Sequence, residues 1–142
     1  MLVAEILKQK GGGVFSIAPD LTLAEVCAEL DARRVGALMV CAGEKVVGVI
    51  SERDVVRAIA RGGGEALSQP VSAHMSGDVV FASPAHTVAD LMARMTDRRI
   101  RHLPILAEGR LTGVISIGDV VKCQIDEATR EAESLRTYIA AG

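Results

Sequence analysis

Apolar and polar positions follow two periods along the chain, and each pattern occurs twice. Leu23, Val26, Cys27 and Leu30 fall at i, i+3, i+4 and i+7, and so do Val88, Leu91, Met92 and Met95. Each stripe predicts an amphipathic helix. Pro19-Asp20-Leu21-Thr22 precedes the first and Pro84-Ala85-His86-Thr87 the second. In both, the Pro ends an extended segment and the Thr caps the helix. Short apolar runs follow, Ala37–Cys41 with Val46–Ile50, then Leu103–Leu106 with Leu111–Ile115. The Gly-bearing turns Ala42–Lys45 and Ala107–Arg110 join each pair into a hairpin. A second helix begins near Ser51 and again near Ser116. With extended segments at Val14–Ala18 and Val79–Ser83, each half reads β-α-β-β-α.

The two halves are a duplication. A slide of 65 residues lays Val14–Arg57 onto Val79–Lys122 without a gap. Gly48-Val49-Ile50-Ser51 falls on Gly113-Val114-Ile115-Ser116, and Asp54-Val55-Val56 on Asp119-Val120-Val121. Two repeats of this length predict like subdomains about a pseudo-twofold axis, not a solenoid. Pro104 lies inside a predicted strand and favours an edge or a strand start there. The expected division is a first domain over residues 1–62 with a lead-in helix, a connector over 63–77, a second domain over 78–124 and a tail helix over 125–142. Val71–Ser76 echoes Val3–Lys8, as a helical turn leading into each repeat.

Composition narrows the function classes. Sixteen Lys and Arg against eighteen Asp and Glu give a net charge of −2, so no basic field draws nucleic acid. The aromatic residues are Phe15, Phe81 and Tyr138, too few for base-stacking platforms. At 49% hydrophobic residues a core is expected, burying roughly 70% of the unfolded surface. No apolar run approaches a membrane span, and the N-terminal stretch does not read as a secretory signal. Cys27, Cys41 and Cys123 sit in apolar surroundings without a CxxC, as reduced thiols of a cytoplasmic protein would. His74, His86 and His102 are scattered, so no metal site is expected. No G-x-S-x-G, Walker or G-x-G-x-x-G loop is present; Gly11-Gly12-Gly13 and Gly62-Gly63-Gly64 read as linkers. Catalytic residues are therefore not expected.

The doubled Gly-Val-Ile-Ser-x-x-Asp ends a strand, starts a helix with Ser and sets Asp in the first turn. Two readings fit it. Ser51 with Asp54, and Ser116 with Asp119, form a variant capping box at the positive end of the helix dipole, and this needs no ligand. Alternatively, a carboxylate at a helix start beside a cleft accepts both hydroxyls of a ribose, since it offers two acceptor oxygens.

Pro-x-x-Thr, helix, apolar hairpin and Gly-Val-Ile-Ser-x-x-Asp, twice over, resemble a tandem pair of CBS (cystathionine β-synthase) domains. Arg98-Arg99-Ile100-Arg101-His102-Leu103-Pro104-Ile105 is similar to the central segment of such domains. The resemblance spans about residues 1–125. It implies an α+β fold with two clefts, and a regulatory module binding AMP, ADP, ATP, NAD or S-adenosylmethionine. It further implies that Asp54 and Asp119 take ribose hydroxyls, with Ser51 and Ser116 capping and touching ribose or phosphate. Arg101 and His102 resemble phosphate-contacting positions, where the first repeat has Gly36 and Ala37. Arg53 is the alternative source of charge for the first repeat, because Gly118 stands at its counterpart. Ile17 and Ala82 occupy positions suited to adenine contacts, and equally suited to ordinary core strands. Arg33, Arg34, Arg98 and Arg99 read as solvated helix ends.

Ile125, Ala128, Ala132, Leu135 and Ile139 space 3-4-3-4 along the tail. That is either a helix laid on its own module or a pairing seam. The expected protein is a cytoplasmic, non-catalytic homodimer that senses adenine nucleotides and acts on a separate effector protein, with no membrane or nucleic-acid partner. A ligand-free dimerisation module is the alternative, and a small enzyme comes third.

Overall fold

The structure, a computed structural model, describes residues 1–11 and 14–141; positions 12 and 13 of the expected glycine linker, and position 142, lie outside the described residues. The elements in order are α1 (Val3–Lys10), β1 (Ser16–Ile17), α2 (Leu23–Arg33), β2 (Ala37–Ala42), β3 (Lys45–Ser51) and α3 (Glu52–Gly62). Then come two 3-10 turns (Gly63–Ser68 and Val71–Ala73), α4 (Val88–Arg98), β4 (His102–Ala107), β5 (Arg110–Ser116) and α5 (Ile117–Ala141). The fold is α+β and duplicated, as the sequence implies.

Capping decides where the helices begin. Thr22 caps α2 with Glu25 answering, Thr87 caps α4 with Asp90, and Ser51 caps α3 with Asp54. Each box satisfies two backbone N–H groups that the first turn leaves unpaired. Arg34 and Arg99 end α2 and α4 in the left-handed conformation, at φ 55° and 53°.

In the first repeat β1 lies parallel to β2, and β2 and β3 form an antiparallel hairpin. In the second, β4 and β5 form the same hairpin, but the extended segment at 79–83 shrinks to one parallel bridge, Ala82 with Ile105. Pro104 is the reason. Ala82 donates its N–H to the Pro104 carbonyl, and Leu106 donates to the Ala82 carbonyl. The next ladder bond on that side requires an N–H from residue 104, and proline has none.

Each repeat has its own apolar core. The first gathers Ile17, Leu23, Val26, Leu30, Leu38, Val40, Ile50 and Val55, and the second Leu91, Met95, Leu103, Ile105 and Ile115. The lead-in segments are exchanged between them. Val3 and Ile6 of α1 are buried in the core of the second repeat, and Val71 in that of the first. The backbone bonds repeat the exchange: Val3 N–H donates to His86 and Ala4 N–H to Pro84, while Val71 N–H donates to Leu21 and Ser72 N–H to Pro19. The echo between 3 and 71 is therefore a structural equivalence, with α1 packing into the core of the second repeat. Gly113 lies under Leu7, and Gly48 under Met75, in matching positions where a Cβ would collide.

The second helix of the second repeat and the tail are one helix, because no Gly or Pro interrupts residues 119–141. Its first turns pack on the second repeat, but the tail beyond Glu127 does not lie along its own module. Burial ends at Cys123, and Leu135, Tyr138 and Ile139 are 62%, 78% and 74% exposed.

Candidate functional site

The main cleft, about 730 Å³, runs between the two repeats. That is ample for a small organic ligand, for which sites run from roughly 300 to 1,000 Å³. One wall comes from the first repeat, with Val14, Phe15 and the segment from Arg33 to Met39. The other comes from the second, with His102, Thr112, Gly113, Val114 and Ser116; Leu7, Lys10 and Gly11 also line it. Neither repeat builds this cleft alone.

Asp119, at the start of α5, does not itself line the cleft, but it bonds to two residues that do, Lys10 and Ser116. Its Oδ2 accepts the Ser116 N–H at 2.9 Å, and the Ser116 hydroxyl accepts the Asp119 N–H at 3.2 Å. The capping reading of this motif is thus realised. The same Oδ2 also accepts from Lys10 Nζ at 2.8 Å, and that ammonium donates to the Val114 carbonyl at 2.8 Å. Burial pushes the Asp119 carboxyl up, but the Lys10 and Ser116 donors outweigh it and hold the group below the usual carboxylate range. It is therefore an anion at neutral pH.

Asp54 has the same cap and different neighbours. Its Oδ2 accepts from Ser51 N–H at 2.9 Å and from the Ser51 hydroxyl at 3.0 Å, while its Oδ1 lies 3.6 Å from Arg57. It lines a separate cleft of about 340 Å³ with Arg57, Arg61, Gln69 and His74. The two aspartates thus stand in different surroundings despite identical motifs.

Gly36, at the start of the first repeat's hairpin, meets His102 of the second repeat, and Ala37 lines the same cleft. A Cβ on Gly36 would lie 3.3 Å from His102 Cε1 and 3.6 Å from Glu52 Oε1, so the missing side chain makes room for the imidazole. Burial lowers the pKa of His102, Lys10 adds to the effect, and Glu52 and Asp119 oppose it. A histidine held below 6.5 when folded takes up its proton more readily when unfolded. Its contribution to stability is present above that value and lost as pH falls through the lowered one. The wild type is expected to melt at lower temperature at about pH 5 than at about pH 7.5, and His102→Asn to lose less across the same interval. Equal losses in the two proteins would remove His102 as the cause.

The remaining expected residues are more dispersed. Arg101 is exposed, and its carbonyl accepts the Ile117 N–H at 2.8 Å. Arg53 is exposed on the first turn of α3 and, like Arg101, lines neither cleft. Ile17 and Ala82 are buried at 6% and 4% exposure, and the Ala82 N–H is already spent on Pro104. Arg33 and Arg34 are exposed at the end of α2, and both also line the main cleft. Arg33 stacks on the Phe15 ring, 3.1 Å from its centroid, and pairs with Glu29 at 2.9 Å. Lys10, Phe15, Arg33 and Arg34 are cleft residues that no motif announced. Among the described residues no group of three His, Cys, Asp or Glu could hold a metal, and no helix is long and apolar enough to cross a membrane.

Comparison with known proteins agrees with this architecture. The family model for the CBS domain matches residues 3–61 and again 71–126. The chain is 32% identical to the mitochondrial CBS domain-containing protein CBSX3 of Arabidopsis thaliana, over 99% of this chain and 72% of that protein. The crystal structure of a CBS-domain containing protein from Agrobacterium tumefaciens superposes with a TM-score of 0.84 at 41% identity, covering 87% of this chain and 99% of that one. The CBS domain pair of protein MJ0100, solved with 5′-methylthioadenosine and S-adenosyl-L-methionine, superposes at 0.80 over 89% of this chain and 98% of that one. At 19% identity that likeness concerns the fold alone.

Proposed function

Since the chain belongs to the CBS domain family, as a tandem pair, we propose that it is a non-catalytic regulatory module whose inter-repeat cleft binds an adenosine-containing nucleotide: AMP, ADP, ATP or NAD. The observation that carries the reading is Asp119, an ionised carboxylate at a helix start beside a cleft of nucleotide size. It accepts the ribose hydroxyls. Phe15 and the apolar edge of β2 flank the base. Lys10, Arg33, Arg34 and His102 supply positive or donor groups for phosphate. The MJ0100 pair, with its two adenosine-bearing ligands, supports this ligand class for the fold. In this reading the protein is cytoplasmic and passes ligand occupancy to a separate effector protein by a change in shape or assembly.

One observation favours a second reading. Met92, Ile117, Val121 and Ile125 are 41–60% exposed on neighbouring faces of α4 and α5, and line an apolar groove of about 390 Å³. A homodimer would cover such a patch, with or without ligand. Thermal melts with each nucleotide at millimolar concentration separate the readings. At a ligand level near 100 times Kd, binding stabilises by about 2.7 kcal/mol, a rise of several degrees for a chain of this size. No shift with any nucleotide, in a protein that light scattering shows to be a dimer, would assign the chain to a purely structural dimerisation role.

A further inference from the structure

We propose that Lys10 makes the inter-repeat cleft selective for phosphorylated ligands, by holding the carboxylate oxygen that a ribose must take. The inference rests on the nucleotide reading above and assigns it a residue from outside every motif.

The argument begins with lone pairs. A carboxylate oxygen accepts two hydrogen bonds in its plane. Asp119 Oδ2 already has two donors, the Ser116 N–H and Lys10 Nζ. Gripping both hydroxyls of a ribose requires both oxygens. Oδ1 receives no hydrogen bond from any described residue, so one hydroxyl can bind there directly. The second requires Oδ2, and Lys10 must give up its place. The Ser116 N–H cannot, because it belongs to the helix cap.

Displacing Lys10 strips an ammonium of its carboxylate partner beside a partly enclosed cleft. A ligand that brings only a nucleoside leaves that charge facing the cleft without an anion. A ligand that also carries phosphate offers the ammonium a new partner in the same cleft, which Lys10 already lines. The contact with the Val114 carbonyl keeps the side chain close throughout. Lys10 thus works against adenosine and for its phosphates.

The first repeat lacks the device. When Val3 is matched to Val71, and Leu7 to Met75, the place of Lys10 falls on Asp78, an acid whose carboxylate lies 3.8 Å from Arg98. Asp54 instead faces Arg57 of its own helix. The two aspartates therefore differ in who guards them. The cause is the exchanged lead-in helix, which delivers a lysine from the extreme N-terminal segment to the second repeat.

The test is calorimetric titration of the full chain with adenosine and with AMP, for the wild type, Lys10→Met and Lys10→Arg. Lys10→Met is expected to bind adenosine more tightly and AMP less tightly. The AMP-to-adenosine affinity ratio falls by about tenfold, the worth of one charge-assisted hydrogen bond discounted for its exposed end. Lys10→Arg keeps the ratio within about threefold of the wild type, because the cation is retained. Hydrogen exchange gives a second readout: adenosine speeds exchange in the last turn of α1, and AMP does not. A ratio unchanged in Lys10→Met, in a wild type that binds AMP, overturns the role of Lys10 and leaves the nucleotide reading standing. A wild type that binds neither compound overturns both.

Discussion

Asp119→Ala is expected to weaken AMP binding on the order of 100-fold, whereas Arg99→Ala leaves it within about threefold. The ribose hydroxyls lose two charge-assisted hydrogen bonds, each worth about 1.5–3 kcal/mol before compensation, and a net loss near 3 kcal/mol gives that factor. Arg99 is the exposed, left-handed end of α4 and lines neither described cleft. Asp119 also caps α5 through the Ser116 N–H, so its removal costs about 1 kcal/mol of stability as well. Asp119→Asn keeps an acceptor for that cap while removing the charge, and separates the two effects. Asp54→Ala completes the comparison, because Asp54 lines the smaller cleft with Arg57 and Arg61. Calorimetric titrations in which Asp54→Ala costs as much as Asp119→Ala would spread the ligand over both clefts. Equal losses in Asp119→Ala and Arg99→Ala, both still folded, would defeat the site altogether.

What the sequence made legible is what local chemistry decides. Thr22, Thr87, Ser51 and Ser116 begin helices because their side chains satisfy N–H groups three residues on, and that spacing is visible in the chain. The hairpins follow from apolar runs around a Gly-bearing turn. The aspartates were found as a repeated motif. The cleft itself was not legible, because it is a product of how the repeats meet. Arg33 and Arg34 look like solvated helix ends until Gly36 brings the second repeat against them. Lys10 carries no motif, and its partner is 109 positions away. Chain order sets α1 ahead of the first repeat, whereas the burial of Val3 and Ile6 in the second core is a product of tertiary packing. The tail is the opposite case: its 3-4 spacing was visible, but nothing marked residue 124 as a break, and the helix runs through it.

The exchanged lead-in carries the largest expected effect on stability. A chain starting at Gly11 loses Val3 and Ile6, which are 0% and 5% exposed in the core of the second repeat, together with the bonds to Pro84 and His86. Burial of two such side chains stabilises by roughly 1.5–3 kcal/mol each, and the cavity left behind adds to the loss. Against a total of about 5–15 kcal/mol for a domain, the second repeat is expected to lose cooperative folding. The milder variant Val3→Ala is expected to cost about 2 kcal/mol, or roughly 6 °C for a chain of this length. Where the damage falls is the sharper result. Hydrogen exchange read by mass spectrometry is expected to quicken in α4, β4 and β5 of Val3→Ala, with α2 and β2 unchanged. Val71→Ala, buried at 0% exposure in the other core, is expected to do the reverse. Faster exchange in α2 and β2 on losing the Val3 methyl groups would return α1 to the first repeat. It would also remove the route by which Lys10 reaches Asp119.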